Sequence, residues 1–259
     1  MSKFFRKIRK TLFSQSRFGR YLLYALGEII LVVIGILIAL QINNWNEAKK
    51  TKAKELTYLS NIKTDLNLSI KEMEKYAVRC SSLIESGKRT LEHFNGKPVE
   101  DWNAFNKDIA DVYTWQRFYL MDNTFQELMN SGNLAIISND SIKAGLLDLD
   151  VMNKHLKYNE DHYRFDAEIT LFEPGYAMQD IDVMVKNYIY QLSNGAQGEA
   201  GMLNEEVFGP MLQDRKQKNG FAFAVLEFGG MIDKLEKMKL KCMEIVVSID
   251  NEIYKYKNN

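Results

Sequence analysis

The sequence lacks the short motifs that mark the common catalytic and nucleotide-binding sites. It contains no G-x-S-x-G nucleophile elbow, no P-loop, no G-x-G-x-x-G turn and no H-E-x-x-H zinc motif. The absence of these motifs weakens the case for an enzyme. We therefore expect a protein that catalyses no reaction and binds no cofactor.

Histidine is scarce, with three copies in the chain. His155 and His162 lie seven residues apart on one predicted helix, with several acidic residues nearby, so a set of metal ligands is conceivable. Neither histidine follows a glutamate by three residues, which is the spacing found in the metal sites of helical bundles. We favour a solvated polar face over a metal site.

Cysteine is scarcer still, with two copies, Cys80 and Cys242. An even pair in an oxidising compartment invites a disulfide. If the helices that carry them pack antiparallel with Phe94 beside Phe221, the two cysteines are offset by about 10 Å along the helix axes. Bridged cysteines have Cα atoms within ~7 Å of each other. We favour two buried thiols, with the disulfide as the alternative.

The sequence does contain one long apolar run at residues 21–42, most of it within GEIILVVIGILIALQINNWNE, which starts at Gly27. Its 22 residues include 14 Leu, Ile or Val and a single charge, Glu28. A helix of this length covers about 33 Å, which matches the core of a bilayer. The apolar residues favour insertion by more than one acid opposes it, so we predict a transmembrane helix over residues 21–42.

Basic residues are concentrated before this run. Residues 1–20 carry seven Lys or Arg and no acid, whereas residues 43–57 carry four Lys. The run is longer than the apolar region of a cleaved signal peptide and no small-x-small site follows it, so we predict an uncleaved signal anchor. The positive-inside rule then puts residues 1–20 in the cytoplasm and residues 43–259 outside.

Both ends of the predicted span carry residues suited to a membrane interface. Residues 1–20 place apolar side chains on one helical face and basic ones on the other, as in a helix lying in the interface; a purely topogenic flank is the alternative. The basic residues that we assign to the interface are Arg6, Lys7, Arg9 and Lys10. At the other end, Trp45 stands in a collar of asparagines, after which the helix resumes.

Glu28 lies about 10 Å inside the cytoplasmic edge of the span. Gly35 and Ala39 follow it by 7 and 11 residues, so the three share one helical face, and the two small residues form a small-xxx-small pair. We interpret this face as a packing face for self-association or for a partner span. A protonated or snorkelling acid without a partner, and an ion pathway, are the alternatives.

The rest of the chain shows helical periodicity without sustained strand alternation or an internal repeat. We therefore predict an all-α fold: a single N-terminal transmembrane helix followed by an elongated antiparallel helical bundle. A long helix carries apolar residues from Leu59 to Phe94, and the last helix carries a similar seam from Phe221 to Tyr256. We predict that these two helices pack antiparallel and form the stalk near the membrane.

Local signals predict the helix ends between these two long helices. Asp101 is a candidate N-cap for a short helix. Thr124 and Glu127 form a T-x-x-E capping box for the next helix, and Gly132 is placed to end it.

A further long helix, capped within residues 138–140, is predicted to end at Pro174 and Gly175. The apolar face of the helix after it is predicted to comprise Met178, Ile181, Val185, Tyr188 and Leu192. Residues 194–201, NGAQGEAG, are the most loop-like stretch and the best site for a flexible connection. Gly229 and Gly230 in the last helix indicate a kink or a close helix contact.

Aromatic residues cluster just before the capping box, at Tyr113, Trp115, Phe118 and Tyr119. They could line a ligand pocket. Aromatic residues where bundle helices meet are more often part of the core, which is the interpretation we favour.

The net charge of zero conceals an uneven distribution. Of the 34 basic and 34 acidic residues, seven basic ones precede the span and Glu28 lies within it, so the remainder carries a net charge of −6. A domain of this charge is a poor candidate for binding nucleic acid.

The stretch YLLYALGEIILVVIGILIALQINNWNE, followed later by TFQELMNSGNLAIISND, resembles an uncharacterised family of single-span bacterial envelope proteins. The resemblance implies an inner-membrane protein of a Gram-negative envelope with a helical periplasmic domain. It implies no reaction and no catalytic residues.

Together these patterns favour a membrane-anchored, non-enzymatic interaction or assembly protein. The predicted partners are the lipid bilayer and a second transmembrane helix, from another copy or another protein, and no small-molecule ligand is identified. The alternative is a sensor-like bundle that binds a small ligand outside the cytoplasm and signals through a partner.

Overall fold

The computed structural model describes residues 17–258, and these form helices and connecting turns without a strand among them. The predicted all-α fold is therefore confirmed. The interfacial residues Arg6, Lys7, Arg9 and Lys10 lie outside the described residues. The chain divides into two units, Met1–Thr57 and Tyr58–Asn259.

Helix α1, Arg17–Phe94, begins in the first unit and ends in the second. By length and composition it is apolar enough in its first part to cross a membrane. It is not interrupted at the asparagine collar around Trp45, where we expected it to pause. The collar contains no glycine or proline, and asparagine costs an interior helix position only about 0.7 kcal/mol relative to alanine.

Helix α1 ends at a glycine in the left-handed conformation. Gly96 adopts a φ of +97°, and the Lys97 N–H bonds the Glu92 carbonyl at 3.1 Å. This Schellman arrangement satisfies a carbonyl that the end of the helix would otherwise leave unpaired.

Seven further helices follow α1 among the described residues. They are α2 (Trp102–Tyr113), α3 (Asn123–Asn130), α4 (Asp140–Ala167), α5 (Glu173–Met178), α6 (Ile181–Leu192), α7 (Glu205–Leu212) and α8 (Arg215–Lys257). A 3₁₀ turn, Leu134–Ile136, precedes α4, and a π turn, Glu168–Phe172, joins α4 to α5. The short helix α7 was not predicted from the sequence.

The predicted caps are partly confirmed. Asp101 accepts the Asn103 N–H at 2.8 Å and caps α2, and Asn139 caps α4. Gly132 adopts a φ of +69° just after α3, as a stop residue should.

The prediction of a capping box for α3 is wrong, because the helix begins one residue before Thr124. Asp122 occupies the N-cap position, but its carboxylate accepts the Gln126 side-chain amide at 2.8 Å and no backbone N–H of the helix. The Thr124 N–H is bound instead by the Asp65 carboxylate of α1, at 2.9 Å. A tertiary contact thus replaces the local cap.

The predicted stop at Pro174 and Gly175 is also wrong, because the chain remains helical to Met178. The Glu173 N–H bonds the Glu168 carbonyl, five residues back instead of the usual four. The helical hydrogen bonds have therefore already changed register before Pro174, which has no N–H to donate. The π turn allows Pro174 to enter the first turn of α5.

The long helices α1 and α8 pack antiparallel, as predicted. The Phe94 and Phe221 rings lie 5.8 Å apart at one end of the contact, and Lys63 pairs with Asp250 at the other. At Gly87 the backbones approach so closely that a Cβ would lie 2.8 Å from Val225 Cγ2.

Helix α4 packs on another side of α8, also through glycines. A Cβ on Gly145 would lie 2.9 Å from Ile245, and one on Gly220 would lie 2.5 Å from Leu171. Of the two alternatives at Gly229 and Gly230, a kink or a close helix contact, the close contact is wrong: apart from neighbouring atoms of α8 itself, nothing described lies within 4 Å of a Cβ on Gly229, and only the Lys234 amine approaches one on Gly230.

The predicted face of α6 is only partly buried, because Ile181 and Tyr188 are half-buried and the fully buried positions lie beside them. The buried residues of α6 are Met184 and Asn187, whereas Val185 and Leu192 are exposed. The reason is a polar contact with α2, in which the Asn106 amide donates to the Asn187 side chain at 3.0 Å and to the Met184 carbonyl at 3.0 Å. Apolar periodicity alone could not identify this face.

Residues 194–201 form a loop, as predicted, and the loop is bound to α6. The Glu199 N–H donates to the Lys186 carbonyl at 3.2 Å. A Cβ on Gly198, whose φ is +78°, would lie 2.3 Å from that same carbonyl oxygen. Glycine is required at this position because both the φ angle and the space exclude a side chain.

Candidate functional site

An open cleft lies between α1, the ends of α2 and α6, and the connection of residues 114–122, which we call the strap. Its charged lining residues are Glu72, Lys75, Arg79, Lys107, Asp111 and Arg117. Its exposed apolar and aromatic lining residues are Val78, Tyr119, Met121 and Leu192. All of these belong to the second unit.

Helix α1 holds both ends of the strap through side chains. The Ser69 hydroxyl donates to the Met121 carbonyl at 2.9 Å and accepts the Met121 N–H at 3.0 Å. The Tyr76 hydroxyl donates to the Gln116 carbonyl at 2.7 Å. Burial, with the nearby Cys80 and Glu160, raises the pKa of Tyr76, so this hydroxyl stays protonated and able to donate.

Helix α4 holds the middle of the strap. The Glu160 carboxylate accepts the Phe118 N–H at 2.8 Å, and Lys157 donates to the Phe118 carbonyl. Lys157 also pairs with Glu160 at 2.9 Å and lies 4.9 Å above the Tyr119 ring. Glu160 is fully buried, so its charge is compensated by these contacts rather than by water.

Asp111 anchors the end of the cleft where α2 meets α6. Its carboxylate accepts bonds from Lys107 at 3.0 Å, the Tyr188 hydroxyl at 2.9 Å and Ser86 at 3.2 Å. Burial alone would raise the pKa of Asp111, but the bonds from Lys107 and Tyr188 and the positive charges of Lys107 and Arg79 outweigh it and lower the pKa. Asp111 is therefore ionised at neutral pH.

Arg79 is held only loosely by Asp111. Its guanidinium lies 3.5 Å from the Asp111 carboxylate and 3.3 Å from the Asp111 carbonyl, both long for charge-assisted bonds. The side chain is 38% exposed and lines the cleft. Its remaining N–H groups bond no other described residue, so they can bind an anion that enters from solvent.

The cleft is positively charged on an acidic domain. Four bases line it against two acids: Asp111 pairs with Arg79 and Lys107, and Glu72 lies 3.6 Å from Lys75. Arg117 pairs with Asp161, which lies outside the lining, so an excess of one positive charge remains. The chain after the span carries a net charge of −6, so this local excess of positive charge is the reverse of its surroundings. Such a contrast attracts anionic groups to the cleft.

The residues assigned to the helix-packing face belong to the first unit, whereas the residues that line the cleft belong to the second. Glu28, Gly35 and Ala39 are exposed on α1, and nothing described lies within 4 Å of a Cβ on Gly35. Trp45 is exposed, with the Lys49 amine 4.6 Å from its ring. The roles assigned to these residues stay predictions.

Both cysteines are buried free thiols, so the disulfide alternative is wrong. Burial raises the pKa of Cys80 and of Cys242 to about 12. His162 lies 3.4 Å from Asp166, and within residues 17–258 no group of three or more His, Cys, Asp or Glu side chains is placed to hold a metal.

The aromatic patch divides between core and cleft. Phe118 is buried, and Tyr113 and Trp115 are partly buried against the core, as favoured. Tyr119 is 68% exposed and lines the cleft, so the alternative of a binding surface applies to this residue.

The charged residues of the cleft and strap were not identified from the sequence. Lys107 and Asp111 have i,i+4 spacing, and Lys157 and Glu160 have i,i+3 spacing. The same spacing occurs in solvent-exposed pairs such as Glu85 and Lys88. Spacing alone therefore cannot separate a buried charge from a surface pair.

One family, described as a family of unknown function (DUF6090), matches residues 28–166. The match covers more than half of the 259 residues and includes every charged residue named in the cleft lining. The resemblance to an uncharacterised family is therefore confirmed. No curated protein and no solved structure matches the chain.

Proposed function

We propose that this chain, which belongs to DUF6090, a family of unknown function, is a membrane-anchored, non-enzymatic interaction or assembly protein of a bacterial envelope. The proposal has two parts: an anchor in residues 21–42 and a docking surface in the second unit. Each is supported by a different observation.

The observation that carries the anchor is the exposure of the apolar part of α1. Ile29 and Leu31 are 62% and 71% exposed, whereas Leu59 in the same helix is fully buried. A core helix of a soluble protein would bury such residues, and none of the apolar window of α1 is buried. Lipid is the solvent that suits a helix that is apolar on every side.

The proposed topology is a single pass through the inner membrane, with the N-terminus cytoplasmic and residues 43–259 periplasmic. The support is the excess of seven basic residues before the span over four after it. A membrane-impermeant thiol reagent applied to intact spheroplasts should label an Ala48→Cys variant but not a Ser2→Cys variant. The opposite pattern would refute this topology.

The proposed partner in the membrane is another transmembrane helix, packed on the face of Glu28, Gly35 and Ala39. Small residues allow close approach of helices, and a buried acid in a span usually faces protein. A photocrosslinker at position 35 or 39 should therefore form a protein adduct in intact membranes. Position 37, on the opposite face, serves as the control, and the absence of any adduct from 35 and 39 would count against the proposal.

The second candidate function is an extracytoplasmic bundle that binds a small ligand. The cleft is the observation in its favour, since it combines cationic and aromatic side chains. Thermal stabilisation of the full-length protein in detergent by a member of a metabolite panel would support it. A panel without any such shift would eliminate it.

A further inference from the structure

The shape and charge of the cleft indicate what it binds. We propose that it binds a short, extended peptide segment of a partner protein that carries acidic residues beside apolar ones. This inference rests on the proposed interaction function and specifies the chemistry of the partner.

The requirement for acidic residues comes from Lys75 and Arg79, the two loosely paired bases of the lining; the other two, Lys107 and Arg117, are held by Asp111 and Asp161. Lys75 is 76% exposed and lies 3.6 Å from Glu72, so that pair is loose and open to exchange with a ligand carboxylate. Arg79 makes two long contacts with Asp111 and keeps further N–H donors. A carboxylate placed between these two side chains would bind both without displacing the bonds that Lys107 and Tyr188 make to Asp111.

The requirement for apolar residues comes from exposed apolar side chains of the lining, which lie on α1 as well as on the strap. Tyr119 of the strap and Val78 of α1 are 68% and 71% exposed, with Met121 beside them in the lining. Apolar side chains placed next to fixed charges suit a ligand that has both kinds of group. Anionic groups alone, such as free phosphate, would leave these apolar side chains exposed to water.

The length and openness of the cleft favour a peptide over a small molecule. Its α1 wall runs from Glu72 to Ser82, about 15 Å at the rise of an α-helix. An extended chain advances about 3.3 Å per residue, so four or five residues fit along this wall. A small-molecule site encloses most of its ligand, whereas this cleft is open to solvent.

The test uses the full-length protein in detergent. The probes are synthetic octapeptides that contain one phenylalanine and one leucine, with two glutamates placed at every combination of positions around them. Each peptide has twins with both glutamates replaced by glutamine or by lysine. Binding is measured by fluorescence anisotropy. At least one acidic peptide should bind at least tenfold more tightly than its glutamine twin, and raising the salt concentration should weaken it.

Matched variants locate the binding. Lys75→Glu and Tyr119→Ser should each weaken the acidic peptide at least fivefold. Lys88→Glu is the control for the first, because Lys88 is also exposed on α1 and also pairs with a glutamate three residues before it. Tyr158→Ser is the control for the second, because Tyr158 is 72% exposed on α4, outside the cleft lining. Both controls should bind as the wild type does.

Three results would overturn the inference: no acidic peptide binds, the glutamine twins bind equally well, or the cleft variants bind unchanged. Binding of phosphatidylcholine vesicles that contain phosphatidylglycerol, lost in Lys75→Glu and without any peptide binding, would assign the cleft to lipid instead. Adducts from positions 35 and 39 are measured separately. They would preserve the proposed function even if the peptide inference failed.

Discussion

The Glu160 carboxylate lies 2.8 Å from the Phe118 N–H and accepts its hydrogen bond inside the fold, with the Lys157 amine 2.9 Å from the same carboxylate. Phe118 belongs to the strap and Glu160 to α4. A buried charge thus fixes the position of a segment that has no helix of its own and that forms one wall of the cleft.

Removal of this charge should destabilise the second unit. Glu160→Ala leaves the Phe118 N–H and the Lys157 amine without their carboxylate, and breaking a buried ion pair costs about 3 kcal/mol or more. Urea denaturation of the full-length protein in detergent measures the change. Glu85→Ala, which removes an exposed partner of Lys88, is the control and should cost less than about 1 kcal/mol. Equal effects of the two substitutions would contradict the role of Glu160.

The ion pair of Asp111 should make stability depend on acid pH. Its pKa is lowered in the folded protein, so its contribution is fully present above the unfolded value of about 3.9 and is lost as pH falls through the lower folded value. The stability difference between the wild type and Asp111→Asn should therefore be constant near neutral pH and shrink below about pH 4. A difference that grows in acid would refute the assigned ionisation state.

Two glycines of α8 should respond oppositely to the same substitution. Gly229→Ala should stabilise the protein by up to about 1 kcal/mol, because alanine is the better helix former and no described atom lies within 4 Å of the new Cβ. Gly220→Ala should destabilise it by about 1–3 kcal/mol, because the new Cβ would lie 2.5 Å from Leu171 and 2.7 Å from Thr170. Thermal denaturation of both variants checks the contrast, and stabilisation by Gly220→Ala would show that the π turn of residues 168–172 is not packed so closely on α8.

The role of Glu28 in the predicted packing face can be tested without disturbing the transmembrane helix. Glu28→Leu makes residues 21–42 more apolar, so the protein should stay in the membrane fraction. If Glu28 bonds a partner helix, the photocrosslinked adduct from position 35 should fall at least several-fold. Unchanged crosslinking would favour the alternative of an acid without a protein partner.

The two thiols should be unreactive in the native protein. Both are buried, and burial raises the pKa of each to about 12, so little thiolate exists at neutral pH. Maleimide should label the native wild type slowly and the urea-denatured protein quickly, and mobility on a non-reducing gel should not change with reductant. Rapid labelling of the native protein would show that α1 or α8 opens near the cysteines.

The sequence was sufficient to predict features with a long period or a rigid local geometry. Apolar residues from Leu59 to Phe94 and from Phe221 to Tyr256 repeat over many turns, so the α1 and α8 pairing could be predicted. Asp101 and Gly132 act within a few residues of their own position and were also predictable.

The features that escaped prediction depend on contacts between distant residues. The Thr124 amide is bound by Asp65, 59 positions away, so the local capping box never forms. The face of α6 is chosen by an Asn106 to Asn187 bond that apolar periodicity does not reveal. Nothing in the sequence around Lys107 and Asp111 distinguishes their partly buried pair from the exposed pairs of the same spacing.

The strap also has a consequence for the order in which the second unit folds. The side chains that bond its backbone stand 39 to 52 positions away in the chain, before it on α1 and after it on α4. The strap cannot form these bonds until both helices are in place, because closing the chain between the bonded residues costs conformational entropy. Among the described segments of this unit, we expect the strap to become ordered late in folding and to exchange its amide hydrogens early. The cleft exists only while the strap is ordered.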